Sequence, residues 1–252
     1  MTLHMIRLPI RISALARWGA ERGWAQGKSS AFDEGRALHH LLSETFGKGM
    51  AQPFRLLVPP RANTGNLYAY STAPAATLLT TAQAIALPEH LSVLDLTALE
   101  DKPMPAIWTA GQRLGFDLLA RPVRRLNAPV AGFAKGAEID AFLAHVLHHH
   151  PETLPDSHEH RREAIYLDWL AERLEGCATL DLAATRLFGF RRRRVARGGA
   201  APEGPEATFH GTFKIQDTAQ FAALVARGVG RHRAYGYGML LLRAPNRPIP
   251  ER

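Results

Sequence analysis

An α+β fold built from tandem ferredoxin-like domains is predicted by three observations. Each half of the chain reads strand, helix, strand, strand, helix, strand; a Pro-containing polar stretch, LEDKPMPAI at 99–107, separates the halves; and GVGRHRAYGYGMLLLR at 228–243 closes the chain with a glycine-rich loop feeding an apolar strand. The 252 residues suffice for two small domains of ~100 residues or more each. We therefore expect one domain over 1–98, a linker over 99–108 and a second domain over 109–252 that carries a helical insertion.

In the first half, alternation at His4, Ile6, Leu8 and Ile10 predicts a strand over 3–10, and Ser13 supplies N-cap chemistry for a short helix in ALARWGAERGW. Residues 31–46, AFDEGRALHHLLSETF, place Phe32, Leu38, Leu41, Leu42 and Phe46 along one helical side, with Gly47 as the stop. FRLLV at 54–58 and NLYAYS at 66–71 read as strands across a turn with Asn63 and Gly65; a helix over 74–86 and a strand around 90–96 complete the unit. In the second half, GQRLGFDLLARPVRRL reads as a long strand, 136–150 and 160–175 as helices, 178–190 and 206–215 as strands, and 217–227 as a helix before the final strand YGMLLLR.

The composition is that of an ordered protein, 46% hydrophobic, and 31 Lys and Arg against 23 Asp and Glu give a net charge of +8, which favours anionic partners. Arginines cluster at 121–125, 191–197 and 227–233, so the excess is uneven. Cys177 is the single cysteine, which removes intramolecular disulfides and cysteine-cluster metal sites and fits a reducing, cytoplasmic setting. No apolar run approaches the ~20 residues of a membrane span, and MTLHMIRLPIRI reads as a strand rather than a secretory signal or transit segment.

Gly228, Gly230, Gly236 and Gly238 would let backbone amides approach a polyanion, while Arg231, His232 and Arg233 bring charge and Tyr235 and Tyr237 offer stacking faces. The plainer reading is a glycine-rich turn before a strand. Arg36 stands three and four residues before His39 and His40, so a helix can present an arginine and an imidazole together, able to balance a phosphate and move protons near neutral pH. A solvated surface histidine pair is the plainer reading of that segment alone. His145, His148, His149, His150, His158 and His160 invite a metal site, but no HExxH motif is present and they gather at a helix end and a Pro-rich turn; neither metal nor other cofactor is expected. FRRRRVARGG would alternate Arg191, Arg192, Arg193, Arg194 and Arg197 between two faces if it continues a strand. Trp169 and Tyr166 read as helix-core anchors.

ALHHLLSETF, the terminal GVGRHRAYGYGMLLLR and REAIYLDWLAERL followed by a basic strand together resemble the CRISPR-associated endoribonucleases of the CasE group of type I-E systems, with a type IV processing enzyme as a related possibility. The resemblance covers most of the chain. It implies an RRM-like (ferredoxin-like) domain pair, carries the family's histidine onto His39, and carries its basic loop residue onto Arg233. The family often has tyrosine one helical turn before that histidine, whereas this chain has Arg36.

The expectation is a metal-independent endoribonuclease that recognises a CRISPR repeat hairpin, retains the mature crRNA and joins other subunits of an effector complex. The RNA's own 2′-hydroxyl would attack the adjacent phosphate, leaving 2′,3′-cyclic phosphate and 5′-hydroxyl ends. His39 would act as general acid or base, Arg36 would stabilise the phosphate and Arg22 would assist it. Arg191 to Arg194 and Arg197 would grip the stem, with Gly230, Arg231, His232, Arg233, Gly236 and Gly238 holding backbone. The alternatives are a non-catalytic hairpin-binding subunit and, more remotely, a DNA-binding regulator.

Overall fold

The computed structural model describes residues 2–24, 32–194 and 203–245. Arg197 and the side chain of Arg194 lie outside the described residues.

The first domain runs β1 (His4–Arg11), α1 (Ile12–Glu21), α2 (Glu34–Phe46), β2 (Phe54–Leu57), β3 (Thr64–Ser71), α3 (Ala75–Ile85), α4 (Pro88–Val93) and β4 (Glu100–Pro103). Its sheet has the order β2-β3-β1-β4, that of a ferredoxin-like unit. Alternation in β1 sends Ile6, Leu8 and Ile10 inward, where they meet Leu38, Leu41, Leu42 and Phe46 of α2. That helix starts where the Asp33 carboxylate accepts from the Arg36 backbone N–H at 3.0 Å, and ends at Gly47, whose φ of 91° is in the left-handed region.

Two expectations change here. Ser13 does not cap α1; the helix begins at Ile12, and the Ser13 N–H is donated to Asn63 Oδ1 at 3.1 Å. The strand expected around 90–96 is the helix α4, opened by Pro88. The fourth strand is instead Glu100–Pro103, within the segment read as a linker, with Ile6 opposite Asp101 and His4 Nδ1 bonded to Asp101 Oδ2 at 2.5 Å. A charged edge strand carries no apolar alternation to reveal it.

The second domain runs β5 (Arg113–Ala120), β6 (Val123–Arg125), β7 (Glu138–Asp140), α5 (Ala141–His149), α6 (Arg162–Leu174), β8 (Ala178–Arg194), β9 (Glu203–Ile215), α7 (Thr218–Arg227) and β10 (Leu240–Arg243). The order β10-β5-β9-β8 repeats that of the first sheet, so the fold is a tandem ferredoxin-like pair. The long strand expected over 111–126 divides at Arg121 and Pro122: β5 stays in the sheet, while β6 pairs with β7 in a separate ribbon. The helix expected from 136 accordingly begins at Ala141, where Asp140 accepts from the Phe142 N–H at 2.8 Å. Trp169 and Tyr166 are buried, as core anchors.

The halves are joined by specific contacts. Tyr70 of β3 packs into the second domain's core and donates its hydroxyl to the Leu240 carbonyl at 2.8 Å, and Arg55 of β2 faces Asp117 of β5 at 3.6 Å. Removing one hydroxyl from the seam strands a buried carbonyl lone pair. Tyr70→Phe is expected to cost about 1–2 kcal/mol in urea unfolding; an unchanged midpoint would show that the contact contributes nothing.

Candidate nucleic-acid interface

The last segment of the chain brings the halves together at one place. After α7, residues 228–238 fold back and the short helical turn Arg233–Tyr235 seats itself on the N-terminal end of α2. The approach is so close that a Cβ built on Gly35 would stand 2.5 Å from the Tyr235 carbonyl oxygen. Only glycine admits the loop there without displacement.

This docking decides which histidine meets the loop. His39 points to the second domain: its ring centroid lies 5.1 Å from that of Tyr235 and its Nδ1 is 3.4 Å from Gln52 Nε2. His40 turns the other way, stacking on Trp24 at 4.6 Å. Burial lowers the pKa of His39 from its ordinary 6.5, and the neighbouring His40 and Lys48 push in the same direction. His39 is therefore a neutral imidazole, able to take a proton, at neutral pH.

The expected cations are distributed differently from their sequence spacing. Arg36 lies over Trp24 at 5.3 Å and acts electrostatically on His40. Arg22 lies 4.0 Å over Trp18, bonded to Glu89 at 2.5 Å and to Glu44 at 3.4 Å, so its charge is matched by two carboxylates. Lys48, one residue past the helix stop, enters the electrostatic environment of His39 instead. The sequence reading missed Lys48 and Gln52; their proximity depends on the turn after α2, which has no periodic signature.

The loop's own residues also divide. Glu138 of β7 receives both Arg231 and His232, and its carboxyl is lowered to about 2, chiefly by the His232 hydrogen bond and further by the charges of His232 and Arg231. Arg233 is exposed and donates to the Arg227 carbonyl at 2.9 Å. Tyr237, expected as a stacking face, is buried and donates to Glu206 Oε2 at 2.7 Å. The amide expected to cradle an anion at Gly238 is donated to the Leu119 carbonyl at 2.7 Å, and its φ of 81° serves the turn. Gly230 and Gly236 likewise have left-handed φ values.

In β8 the arginines alternate as a strand dictates. Arg191 and Arg193 both reach the buried Glu206 of β9, while Arg192 enters a groove of about 590 Å³ with Arg121, Arg125 and Arg231 on its walls. That groove lies between the β6–β7 ribbon and the paired ends of β8 and β9. Its four arginines are set against three acids, Glu138, Asp140 and Glu203, while a neighbouring concavity is lined by Arg125, Arg173, Arg227, Arg231 and Arg233 with no acid among the described residues. The histidine concentration stands apart from it: His145 pairs with His149 at 4.5 Å, and His150 stacks on His158 at 4.4 Å. Among the described residues no three His, Cys, Asp or Glu side chains gather as metal ligands.

Two ferredoxin-like halves that share one loop, with an imidazole at their junction and arginines on the loop that meets it, define the class of molecule. The chain belongs to the CRISPR-associated protein family, whose model matches residues 3–244. Solved structures of similar fold include Thermus thermophilus Cse3 bound to an RNA representing a pre-cleavage complex, at 20% identity and TM-score 0.64 over 96% of this chain and 100% of that one. A second is CRISPR endoribonuclease Cse3 bound to 19 nt RNA, at 19% identity and TM-score 0.65 over 97% and 100% of the two chains. A third is Cas6e from Escherichia coli str. K-12, at 17% identity and TM-score 0.54 over 96% and 100%. No curated protein matches the chain significantly. Among the described residues no helix is long and apolar enough to cross a membrane.

The Glu138 clamp has a pH signature. A carboxyl whose pKa falls from 4.5 to about 2 on folding stabilises the fold fully above 4.5, and that contribution is lost as pH falls toward 2. Glu138→Gln is expected to lower stability by about 1 kcal/mol or more at neutral pH, with the difference from wild type shrinking in urea titrations over that acid interval. A difference independent of pH would contradict the clamp.

Proposed function

We propose that this protein is a metal-independent endoribonuclease that cuts precursor crRNA at the repeat hairpin. The observation that carries the reading is the seating of His39 against the glycine-rich loop, at Gln52 and Tyr235, which share a concavity with Arg227, Arg231 and Arg233. The solved relatives include endoribonucleases bound to RNA and a CRISPR RNA-guided surveillance complex, which supports RNA as substrate and other subunits as partners. A cytoplasmic setting follows from that role.

The nucleophile belongs to the substrate. A 2′-hydroxyl held in line with the adjacent phosphate needs a group to remove its proton, a group to protonate the departing 5′-oxygen and positive charge for the phosphorane. Neutral His39 takes the 2′-hydroxyl proton and, as imidazolium, returns one to the 5′-oxygen; the products carry a 2′,3′-cyclic phosphate and a 5′-hydroxyl. Tyr235 and Gln52 fix the imidazole's orientation. Lys48 supplies positive charge beside His39, while Arg36 is turned to Trp24 on the His40 side. Arg22, held by Glu44 and Glu89, supports the helix pair on which Arg36 and His39 stand.

Arg192, Arg231 and Arg233 hold the RNA backbone, with Arg194 and Arg197 extending the grip along the stem. Arg191 and Arg193 shape this wall through Glu206, and Gly230, Gly236 and Gly238 set the path of the loop beside His232. A-form RNA hides base edges in its deep major groove, so the stem is read by shape and phosphate position. The reading of a hairpin-binding subunit without cleavage is favoured only by Arg36, which stands where the resembling family often has tyrosine and is turned to Trp24.

His39→Ala is expected to slow single-turnover cutting of the repeat hairpin about 10²–10⁴-fold with hairpin affinity nearly unchanged; equal losses in both would make His39 a binding residue. Because its pKa is lowered, the wild-type rate should hold through neutral pH and fall as pH drops below the ordinary 6.5. Cutting that disappears in chelator and returns with added divalent metal would overturn the metal-free chemistry.

A further inference from the structure

On the open face of the second sheet, Phe188 of β8 is 71% exposed, the most exposed aromatic ring among the described large hydrophobic residues. It is not an ordinary strand residue. The β8–β9 register passes from Leu187 opposite Phe209 to Gly189 opposite Thr208, so Phe188 is the extra residue of a β-bulge. Bulges re-aim side chains and recur beside functional sites. Gly189 follows with open space where a Cβ would stand, leaving the outward face of the bulge uncrowded.

The ring is braced from behind. Phe188 stacks on His210 of β9 with centroids 4.2 Å apart and planes 20° from parallel, and His210 Nε2 bonds to Asp117 Oδ2 at 3.0 Å. Asp117 in turn faces Arg55 of the first domain at 3.6 Å, and Arg55 Nη1 and Asp117 Oδ1 are buried without a hydrogen-bond partner among the described residues. One face of the phenyl ring is thus fixed by a polar chain running back to the domain seam, and the other is presented to solvent. An apolar ring held rigid amid Thr, His, Asp and Arg suits a ligand that is flat, polar at its edges and anionic nearby. A protein helix would instead require a contiguous apolar patch.

We propose that Phe188 is a stacking platform for one unpaired nucleobase of the RNA, a binding position separate from the arginine groove and from His39. The proposal rests on the endoribonuclease reading above. Even-numbered residues of β9 share one face, so His210 lies on the same side as Glu206, which holds Arg191, Arg193 and Tyr237. The separation along the strand is about 13 Å. A base on Phe188 therefore sits within a few nucleotides of the loop, where single-stranded RNA flanking the hairpin would pass. Its selectivity is for an unstacked base, because every base offers a π-face and a paired one does not expose it.

The test uses the full chain and two RNAs made from the repeat beside the gene, a blunt stem-loop and the same stem-loop with single-stranded flanks, each carrying 2′-deoxyribose at the cut position to block cleavage. Phe188→Ala should weaken the flanked RNA about fivefold to 150-fold by fluorescence anisotropy, leave the blunt stem-loop within twofold of wild type, and be rescued by Phe188→Trp. An unchanged affinity for the flanked RNA, or an equal loss on both RNAs, overturns the platform even where wild type binds and cuts. Weakened association with effector-complex subunits at unchanged RNA affinity does the same, by making Phe188 a protein contact. Failure of wild type itself to bind either RNA, or to cut the same RNAs made with an unmodified ribose at the cut position, would instead bring down the endoribonuclease reading.

Discussion

The contact between the Arg233–Tyr235 turn and the first turn of α2 is the constraint on which the rest of the site depends. It requires a residue without a side chain at position 35, and it places an aromatic ring from one domain against an imidazole from the other. Either domain alone holds half of the arrangement: α2 with its histidine, or the loop with its arginines. The Tyr70 hydroxyl on Leu240 and the Arg55–Asp117 pair hold the sheets in the relation that lets the loop reach α2.

Charge is organised by a few acids as much as by the many arginines. Glu206 is 4% exposed and gathers Arg191, Arg193 and Tyr237, so part of the cationic run serves the wall of the cleft rather than a ligand. Burial tends to raise its carboxyl, and the Tyr237 hydroxyl and the two guanidiniums more than offset this, leaving it lowered. Glu138 does the same for Arg231 and His232 at the loop. The charge that stays outward on this side includes Arg125, Arg192, Arg227 and Arg233, with Arg231 exposed beside Glu138. A polyanion there meets pre-positioned charge, and binding should weaken steeply with salt.

The fold was legible in the sequence because both halves carry clear periodicity: Ile6, Leu8 and Ile10 alternate, and Leu38, Leu41, Leu42 and Phe46 follow the helical turn. The misses occurred where packing overrides local pattern. His90, Val93 and Leu94 imitate a strand, yet Pro88 starts a helix that buries His90 against Glu44 at 3.0 Å. The true edge strand, Glu100–Pro103, is charged and leaves no apolar trace. In the site, the choice of His39 came through family resemblance, since adjacent histidines on a helix cannot be ranked by spacing. Nor could spacing show that Arg36 turns to Trp24, or that Glu138 and Glu206, remote in sequence from the arginines they bind, fix which charges stay available.

The most direct measurement of the loop's role is made at Gly35. Replacing it with alanine favours the helix intrinsically, by about 1 kcal/mol, so a loss of activity cannot be assigned to a weakened α2; the new methyl instead forces the Tyr235 carbonyl away. Gly35→Ala should leave hairpin affinity close to wild type while single-turnover cleavage falls about tenfold or more, since a misplacement of ~1 Å costs on the order of 10²-fold. Cleavage at the wild-type rate would contradict the account, showing that the chemistry does not depend on the loop being seated against α2.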